Sequence, residues 1–235
     1  MSPSKYGVIY ADPPWRFKLR SEVNLTKSPQ GQYPCMSLDD LARLPVRSLA
    51  AEHCVLVMWA TAPMLPDALW LMDQWDFTYK TAGAWAKRAP GGEKWAFGTG
   101  YIYRSAAEFW LLGTVGKPPS HSNSVRNLID APRTQHSRKP GVMRTMLEQQ
   151  FLGPYLELFA REKVEGWDGW GNEYPGEGIS LHSGGGGGGR DDGEGGRATV
   201  SRSAPAPDGA GDGARPLGGV GSQRYEPRAV GGTRV

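Results

Sequence analysis

The apolar run Tyr6-Gly7-Val8-Ile9-Tyr10-Ala11 is cut short by Asp12-Pro13-Pro14-Trp15. A run of aliphatic, β-branched and aromatic residues reads as a buried strand. Prolines fix φ and carry no N–H, so the strand has to stop there. Their carbonyls are left as acceptors, and the tetrapeptide is expected to offer a rigid edge of oxygens beside a flat apolar ring. Such an edge suits a planar amine such as the exocyclic nitrogen of adenine. That nitrogen is a poor nucleophile because its lone pair is delocalised into the ring. Acceptors on its two hydrogens favour a more pyramidal amine with a more available lone pair. The plainer alternative is a strand ending in a proline turn with a core tryptophan, since Asp-Pro is a common turn former.

Strand-like and helix-like stretches alternate behind this run. Ser37 to Leu44 has a serine N-cap, Asp40 at the capping-box position and Pro45 as a stop, so it reads as a short helix. Cys54 to Ala60 reads as a strand. Pro63 to Trp75 reads as a helix with Leu65, Leu69 and Met72 at helical spacing. Phe77 to Lys87, Glu108 to Gly113 and Leu128 to Ala131 read as strands, Pro140 opens a helix, and Tyr155 to Arg161 is a strand again. Short apolar strands separated by helices predict an α/β fold, a mainly parallel sheet with helices on both faces. Ligands of such sheets lie beyond the carboxyl ends of the strands. Asp12, Thr61, Lys87 and Arg161 fall at or just past such ends and should converge on one edge.

Composition separates this body from the C-terminal stretch. After Tyr174 the chain turns to Gly, Arg, Asp, Ala, Ser and Pro, with more than half of its 33 glycines there. Such a segment buries too little apolar surface to offset its ordering entropy. The expected organisation is a domain over 4–174 and a flexible tail over 175–235, read as dispensable, as a tether for a partner or as an out-of-frame extension. The net charge of +3 is weak evidence for nucleic acid by itself. Two cysteines, Cys35 and Cys54, show no metal-like spacing, and His53, His121, His136 and His182 form no ligand constellation, so no metal is expected. No signal peptide or membrane span is legible, which makes a cytoplasmic setting the default.

Three irregular stretches, Arg16 to Pro34, Arg88 to Tyr103 and Lys117 to Val125, mix basic with aromatic residues. Mobile loops of this kind can hold a phosphate backbone and stack bases. They can equally be solvated surface with aromatic anchors.

Val8-Ile9-Tyr10-Ala11-Asp12-Pro13-Pro14-Trp15 resembles the motif of the MT-A seventy, METTL-type family of S-adenosylmethionine-dependent adenine-N6 methyltransferases. Further stretches resemble it in the family's order: Tyr33-Pro34-Cys35-Met36-Ser37, Val57-Met58-Trp59-Ala60-Thr61 and Ala84-Trp85-Ala86-Lys87. Ser137-Arg138-Lys139-Pro140, Leu156-Glu157-Leu158-Phe159-Ala160-Arg161 and Gly171-Asn172-Glu173 resemble its cofactor half. Each is weak alone; together, in order and from Tyr6 to Glu173, they are specific.

The resemblance implies a Rossmann-like methyltransferase fold of permuted motif order, with the catalytic strand before the cofactor strand. It implies S-adenosyl-L-methionine as donor and nucleic acid as partner, DNA favoured over RNA. Asp12 and the Pro13 carbonyl would grip the amine, Pro14 would stiffen the turn and Trp15 would pack on the base. The target adenine must be flipped out or unpaired. Asp12 is expected to be an orienter more than a base, because an exposed carboxylate has a low pKa. Lys139 would meet the donor's carboxylate, and Arg161 and Asn172 its ribose and adenine. Glu157, Phe159 and Glu173 belong to the same cofactor set. Tyr33, Trp59, Trp85 and Lys87 are the substrate candidates, Lys87 for a phosphate, while both tryptophans also suit plain core packing. Glu108 opens a strand and is read either as structural or as orienting the pocket.

The chain departs from the family in places. It begins a few residues before the catalytic strand, where better-known eukaryotic members carry sequence that serves the cofactor's adenine. Glu173 stands where an amide is common. No recognition domain is appended, which fits standalone DNA-acting members better than large RNA-modifying assemblies. A catalytically silent, nucleic-acid-binding or partner-stabilising homologue is the alternative, and the intact Asp12-Pro13-Pro14-Trp15 argues against it. A generic nucleotide-binding domain is disfavoured because no glycine-rich loop joins a strand to a helix. Target sequence and oligomeric state, homo- or hetero-dimer included, are not fixed by these residues.

Overall fold

The computed structural model describes residues 5–16, 35–98, 100, 102–122, 124–133 and 138–181. The strands are β1 (Tyr6–Ala11), β2 (Ala50–Ala60), β3 (Thr78–Arg88), β4 (Ala107–Val115), β5 (Leu128–Pro132), β6 (Tyr155–Leu158) and β7 (Trp167–Trp170). They form one seven-stranded sheet in the order β5-β3-β4-β2-β1-β6-β7. Among the described residues only β4 runs against its neighbours, pairing antiparallel with β2 and β3. The expected mainly parallel α/β sheet is what the chain forms.

Alternation along the strands divides the core into two layers, because successive side chains leave opposite faces. Ile9, Leu56, Met58, Leu156 and Leu158 enter one layer. Val8, Tyr10, Val55, Val57 and Trp59 enter the other. The first layer is covered by helices α1 (Leu38–Ala42), α2 (Val46–Leu49) and α3 (Leu65–Gln74), through Leu41, Val46, Leu49, Leu71 and Met72. The second is covered by α4 (Val142–Gln150), through Met143 and Leu147.

Local chemistry sets the helix ends. Ser37 Oγ accepts the Asp40 N–H at 3.1 Å, as the capping pattern predicts. Pro45 ends α1 and also serves as the N-cap of α2, a helix not anticipated from sequence. Trp75, at the C-cap of α3, is buried and donates its indole N–H to the Leu41 carbonyl at 2.9 Å, tying α3 to α1.

Several boundaries differ from expectation. β2 starts at Ala50, ahead of Cys54, and pairs back to Tyr6. β6 ends at Leu158 rather than Arg161, because Phe159 turns the chain out of the strand with φ of 62°. β7 is unanticipated; Trp167-Asp168-Gly169-Trp170 is too short to show a period and becomes a strand by pairing with β6. The body also continues past Tyr174. The Ile179 N–H donates to the Gly169 carbonyl at 3.1 Å, and Ile179 and Leu181 pack on the first layer. The folded body therefore outruns the expected boundary at 174, since glycine content masks two anchoring apolar residues. The rest of the expected tail, 182–235, lies outside the described residues.

Candidate active site

β1 and β6 are neighbours, and the chain runs on from β1 to β2 on one side and from β6 to β7 on the other. Such a point in an α/β sheet leaves a crevice beyond the strand ends. Asp12 stands at its mouth, directly after β1. A cleft beside it is walled by Pro14, Met36, Phe159, Arg161 and Trp170, with Asn172 and Glu173 at its rim. A second recess runs from Asp12 along Lys139, Arg144 and Glu157.

The proline turn is more occupied than expected. The Pro13 carbonyl accepts the Trp15 N–H at 2.8 Å, and the Pro14 carbonyl accepts the Met36 N–H at 3.2 Å. Neither carbonyl is unpartnered, although each keeps a second lone pair. Trp15 is 6% exposed and donates its indole N–H to the Trp59 carbonyl at 3.0 Å. The turn is thus braced against β2 and against Met36 ahead of α1, and the Trp15 ring is a packing element instead of an open stacking face.

A ladder of alternating charge crosses the edge of the sheet. Lys139 Nζ lies 2.8 Å from Asp12 Oδ1 and 3.0 Å from Glu108 Oε1, and Lys87 Nζ lies 2.7 Å from Glu108 Oε2. The Lys139 and Glu108 side chains are 8% and 10% exposed. Burial raises the Asp12 carboxyl above the usual aspartate range; Lys139 pulls it down and Glu108 adds to the rise. The expectation of an ordinary exposed carboxylate therefore fails, because the turn folds Asp12 into the crevice. Burial also acts to raise Glu108, but Lys139 and Lys87 outweigh it and hold its carboxyl below the ordinary value. For Lys139, burial is outweighed by Asp12 and Glu108, and the ammonium is held above the ordinary lysine value.

Trp59 and Trp85 form the floor of this ladder and are not substrate stacking faces. Trp59 has no exposed surface and Trp85 is 3% exposed, with their rings edge to face at 6.3 Å. Lys139 Nζ stands 5.6 Å from the Trp59 ring centre and Lys87 Nζ 4.9 Å from that of Trp85, within cation–π range. Lys87 turns inward to Glu108 and not outward to a phosphate. Trp59 donates its indole N–H to the buried Tyr10 hydroxyl at 2.6 Å.

On the other side, Phe159 holds a left-handed φ of 62°, a conformation that costs a side-chain-bearing residue about 1–2 kcal/mol. Its ring meets Trp170 edge to face at 5.5 Å. Ala160 comes next, donating its N–H to the Trp170 carbonyl at 2.9 Å. Gly171 permits that approach, since a Cβ there would lie 2.6 Å from the Ala160 oxygen. Sites that hold such strain are often functional.

The chain carries these features because it is built to a known pattern. The MT-A70 family model matches residues 6–173. The chain belongs to the MT-A70 family. Among relatives, the Type II methyltransferase M.MunI of Mycoplasma sp. is 34% identical, covering 75% of this chain and 81% of that protein. The human N(6)-adenine-specific methyltransferase METTL4 is 29% identical over 72% of this chain and 37% of its own length. The N6-methyladenosine RNA methyltransferase MTA1 of Cryphonectria parasitica is 28% identical over 72% of this chain and 51% of its own. The MT-A70 chain thus spans a third to a half of the latter two.

In this MT-A70 chain the expected cofactor residues take mixed positions. Phe159, Arg161, Asn172 and Glu173 line one cleft with Asp12, and Arg161 Nε lies 3.8 Å from Glu173 Oε2. Lys139 reaches the site but faces two carboxylates of the protein. Glu157 is held by Arg144, with contacts of 2.7 and 3.2 Å, and Arg144 also binds Glu162 at 2.9 Å. Burial raises the Glu157 carboxyl and Arg144 opposes that rise. Tyr33 lies outside the described residues.

Sequence reasoning leaves Glu108 open and misses Arg144. Glu108 begins the antiparallel strand, which places its N-terminal end among the C-terminal ends of the others. Only strand direction carries that signal. Arg144 sits beside the buried Met143 on α4, where periodicity alone marks a solvated position. Among the described residues no group of three or more His, Cys, Asp and Glu is placed to hold a metal ion, and no helix is long and apolar enough to cross a membrane.

Proposed function

We propose that this chain transfers a methyl group from S-adenosyl-L-methionine to the N6 amine of adenine in nucleic acid, with DNA the favoured polymer and the cytoplasm the setting. The observation that carries the reading is Asp12, fixed at the mouth of the crevice beside Lys139. The family membership supports the reaction. For the polymer, the Type II methyltransferase is matched over 81% of its length and the RNA methyltransferase over 51% of its own.

The residues fit such a donor. It is an elongated molecule with an aromatic base at one end and an amino acid at the other. The cleft offers the apolar walls of Phe159, Trp170 and Met36, with Arg161, Asn172 and Glu173 as polar partners for base and ribose. The recess along Lys139 and Arg144 offers charge for the amino-acid end. When bound, the donor supplies an activated sulfonium methyl group.

The protein's own work is orientation. Asp12 accepts from the exocyclic amine, and the second lone pair of the Pro13 carbonyl completes the grip. The turn, braced by Trp15 and Met36, keeps both acceptors still, and fixed geometry lowers a barrier by removing orientational freedom. Lys139 holds the Asp12 carboxylate in place through both of its oxygens, at 2.8 and 2.9 Å, and meets the donor's carboxylate by giving up one of those contacts.

The test is nucleoside mass spectrometry of DNA and RNA treated with the protein or its Asp12→Ala form. N6-methyladenine is expected from the parent chain, more in DNA. Product is expected to fall by about a hundredfold or more in the variant, the size of effect seen when one preorganised polar contact is lost. Equal turnover by the variant removes Asp12 from the reaction. Absence of donor binding by calorimetry favours the silent homologue.

A further inference from the structure

The connection between β3 and β4 presents four large apolar side chains to solvent. Trp95 is 54% exposed, Phe97 65%, Ile102 85% and Tyr103 86%. Exposed apolar residues scattered singly are ordinary, but a group on one connection is not. The connection is also built. Arg88 bridges antiparallel to Trp95, and Gly98 to Ser105. Lys87 pins it from both sides, donating its N–H to the Ala106 carbonyl at 2.9 Å and accepting the Ala96 N–H at 2.8 Å. The same Lys87 enters the charge ladder through Glu108. Lys87 thus ties this connection to the charge ladder that ends at Asp12.

Its aromatic rings are backed by cations. Asp130 holds the Arg88 guanidinium with two bonds of 2.8 and 2.7 Å, and that guanidinium lies 3.6 Å from the centre of the Trp95 ring. Arg104 stands 5.6 Å from the Phe97 ring centre. An arginine fixed against one side of a ring leaves the other side open for a stacking partner. With Arg88 compensated by Asp130, Lys94 and Arg104 stand against a single acid, Glu93, along this connection. That balance complements a polyanion better than a second protein surface.

We propose that the β3–β4 connection is a stacking platform for the nucleotides flanking the target adenine, so that the preferred substrate is a single strand or a locally unpaired stretch. The proposal rests on the methyltransferase reading and adds the state of the nucleic acid to it. Bases stack on aromatic faces without regard to sequence, and only unpaired bases have faces to offer. The guanidinium groups then lie beside the phosphates of the same strand.

The test compares the full chain with its Phe97→Ala/Tyr103→Ala form. Both side chains are mostly exposed, so thermal unfolding and donor affinity should not change. Fluorescence anisotropy uses a labelled adenine-containing DNA oligonucleotide as single strand and as duplex. The parent should bind the single strand more tightly. The variant should lose that preference, with the dissociation constant and KM raised about fivefold to a hundredfold for one or two lost stacking contacts and kcat unchanged. Phe97→Trp should keep the affinity. Unchanged single-strand binding by the double variant overturns the proposal. So does a loss of self-association, measured by light scattering, with unchanged oligonucleotide affinity, which assigns the surface to a second copy. Strand binding without any N6-methyladenine in the parent defeats the reaction instead, leaving the platform as a binding surface.

Discussion

Lys139 Nζ lies 2.8 Å from Asp12 Oδ1, although 127 residues separate the two in the chain. The pair sets the state of the carboxylate that the proposed reaction uses as acceptor. It also links Asp12 to Glu108 through a shared ammonium, and the two carboxyls are shifted in opposite directions, Asp12 up by burial and Glu108 down by Lys139 and Lys87 against burial.

The Asp12 carboxyl is raised by burial, with Lys139 opposing. Its folded pKa therefore lies above the unfolded value of about 3.9. The stability that its own protonation contributes is present below that value and lost as pH rises through the folded pKa. Asp12→Asn should lose transfer, and because it leaves the buried Lys139 with Glu108 alone it should also lower the melting temperature at neutral pH. The acid limb of kcat/KM in the parent should lie above the ordinary aspartate range. A limb at or below that range, measured with saturating donor, contradicts the assignment.

Glu108 shifts the other way, held down by Lys139 and Lys87 against burial. Its stabilisation is present above the unfolded glutamate value of about 4.3 and is lost as pH falls through its lower folded value. Glu108→Gln takes the carboxylate from Lys87 and leaves Lys139 with Asp12 alone. Breaking a buried pair by removing one partner costs about 3–5 kcal/mol. Urea unfolding at neutral pH should show a loss of that order, and the gap between variant and parent should narrow in acid.

Gly171 carries the cleft wall. A Cβ there meets backbone atoms of Ala160 at 2.6 and 2.9 Å, which cannot rotate away. Gly171→Ala should cost about 1–3 kcal/mol, the usual penalty of overpacking. It should also weaken donor binding in calorimetry, because Ala160 leads into Arg161. Donor affinity equal to the parent's would separate the wall from the donor site.

Truncation locates the end of the folded body. A chain ending after Leu181 should unfold cooperatively with the parent's midpoint. One ending after Tyr174 loses Ile179 and Leu181, which pack on the first core layer, and should be weaker by about 2 kcal/mol. Equal midpoints for the two truncations would restore the boundary at 174.

Most of the scaffold is legible in the sequence because short-range patterns carry it. Ile9 and Tyr10 alternate between the layers as their neighbours in sequence demand, and Ser37 caps α1 through its own turn. The unanticipated pieces lack such a pattern. β7 has too few residues to show a period, and α2 hides behind the proline that ends α1. The end of β6 falls short of its expected place because Phe159, a residue suited to strands, takes a positive φ and turns the chain out of the sheet.

By itself the sequence determined the strand that stops at Asp12, the order of elements and the family pattern over residues 6–173. These come from φ restriction, side-chain period and composition, all properties of neighbouring residues. Tertiary structure alone decided that Glu108 joins the site, that Lys139 bridges it to Asp12, and that Trp59 and Trp85 lie beneath instead of facing a base. Those outcomes depend on strand direction and on the burial of charges brought together from distant positions, and neither quantity exists until the sheet has closed.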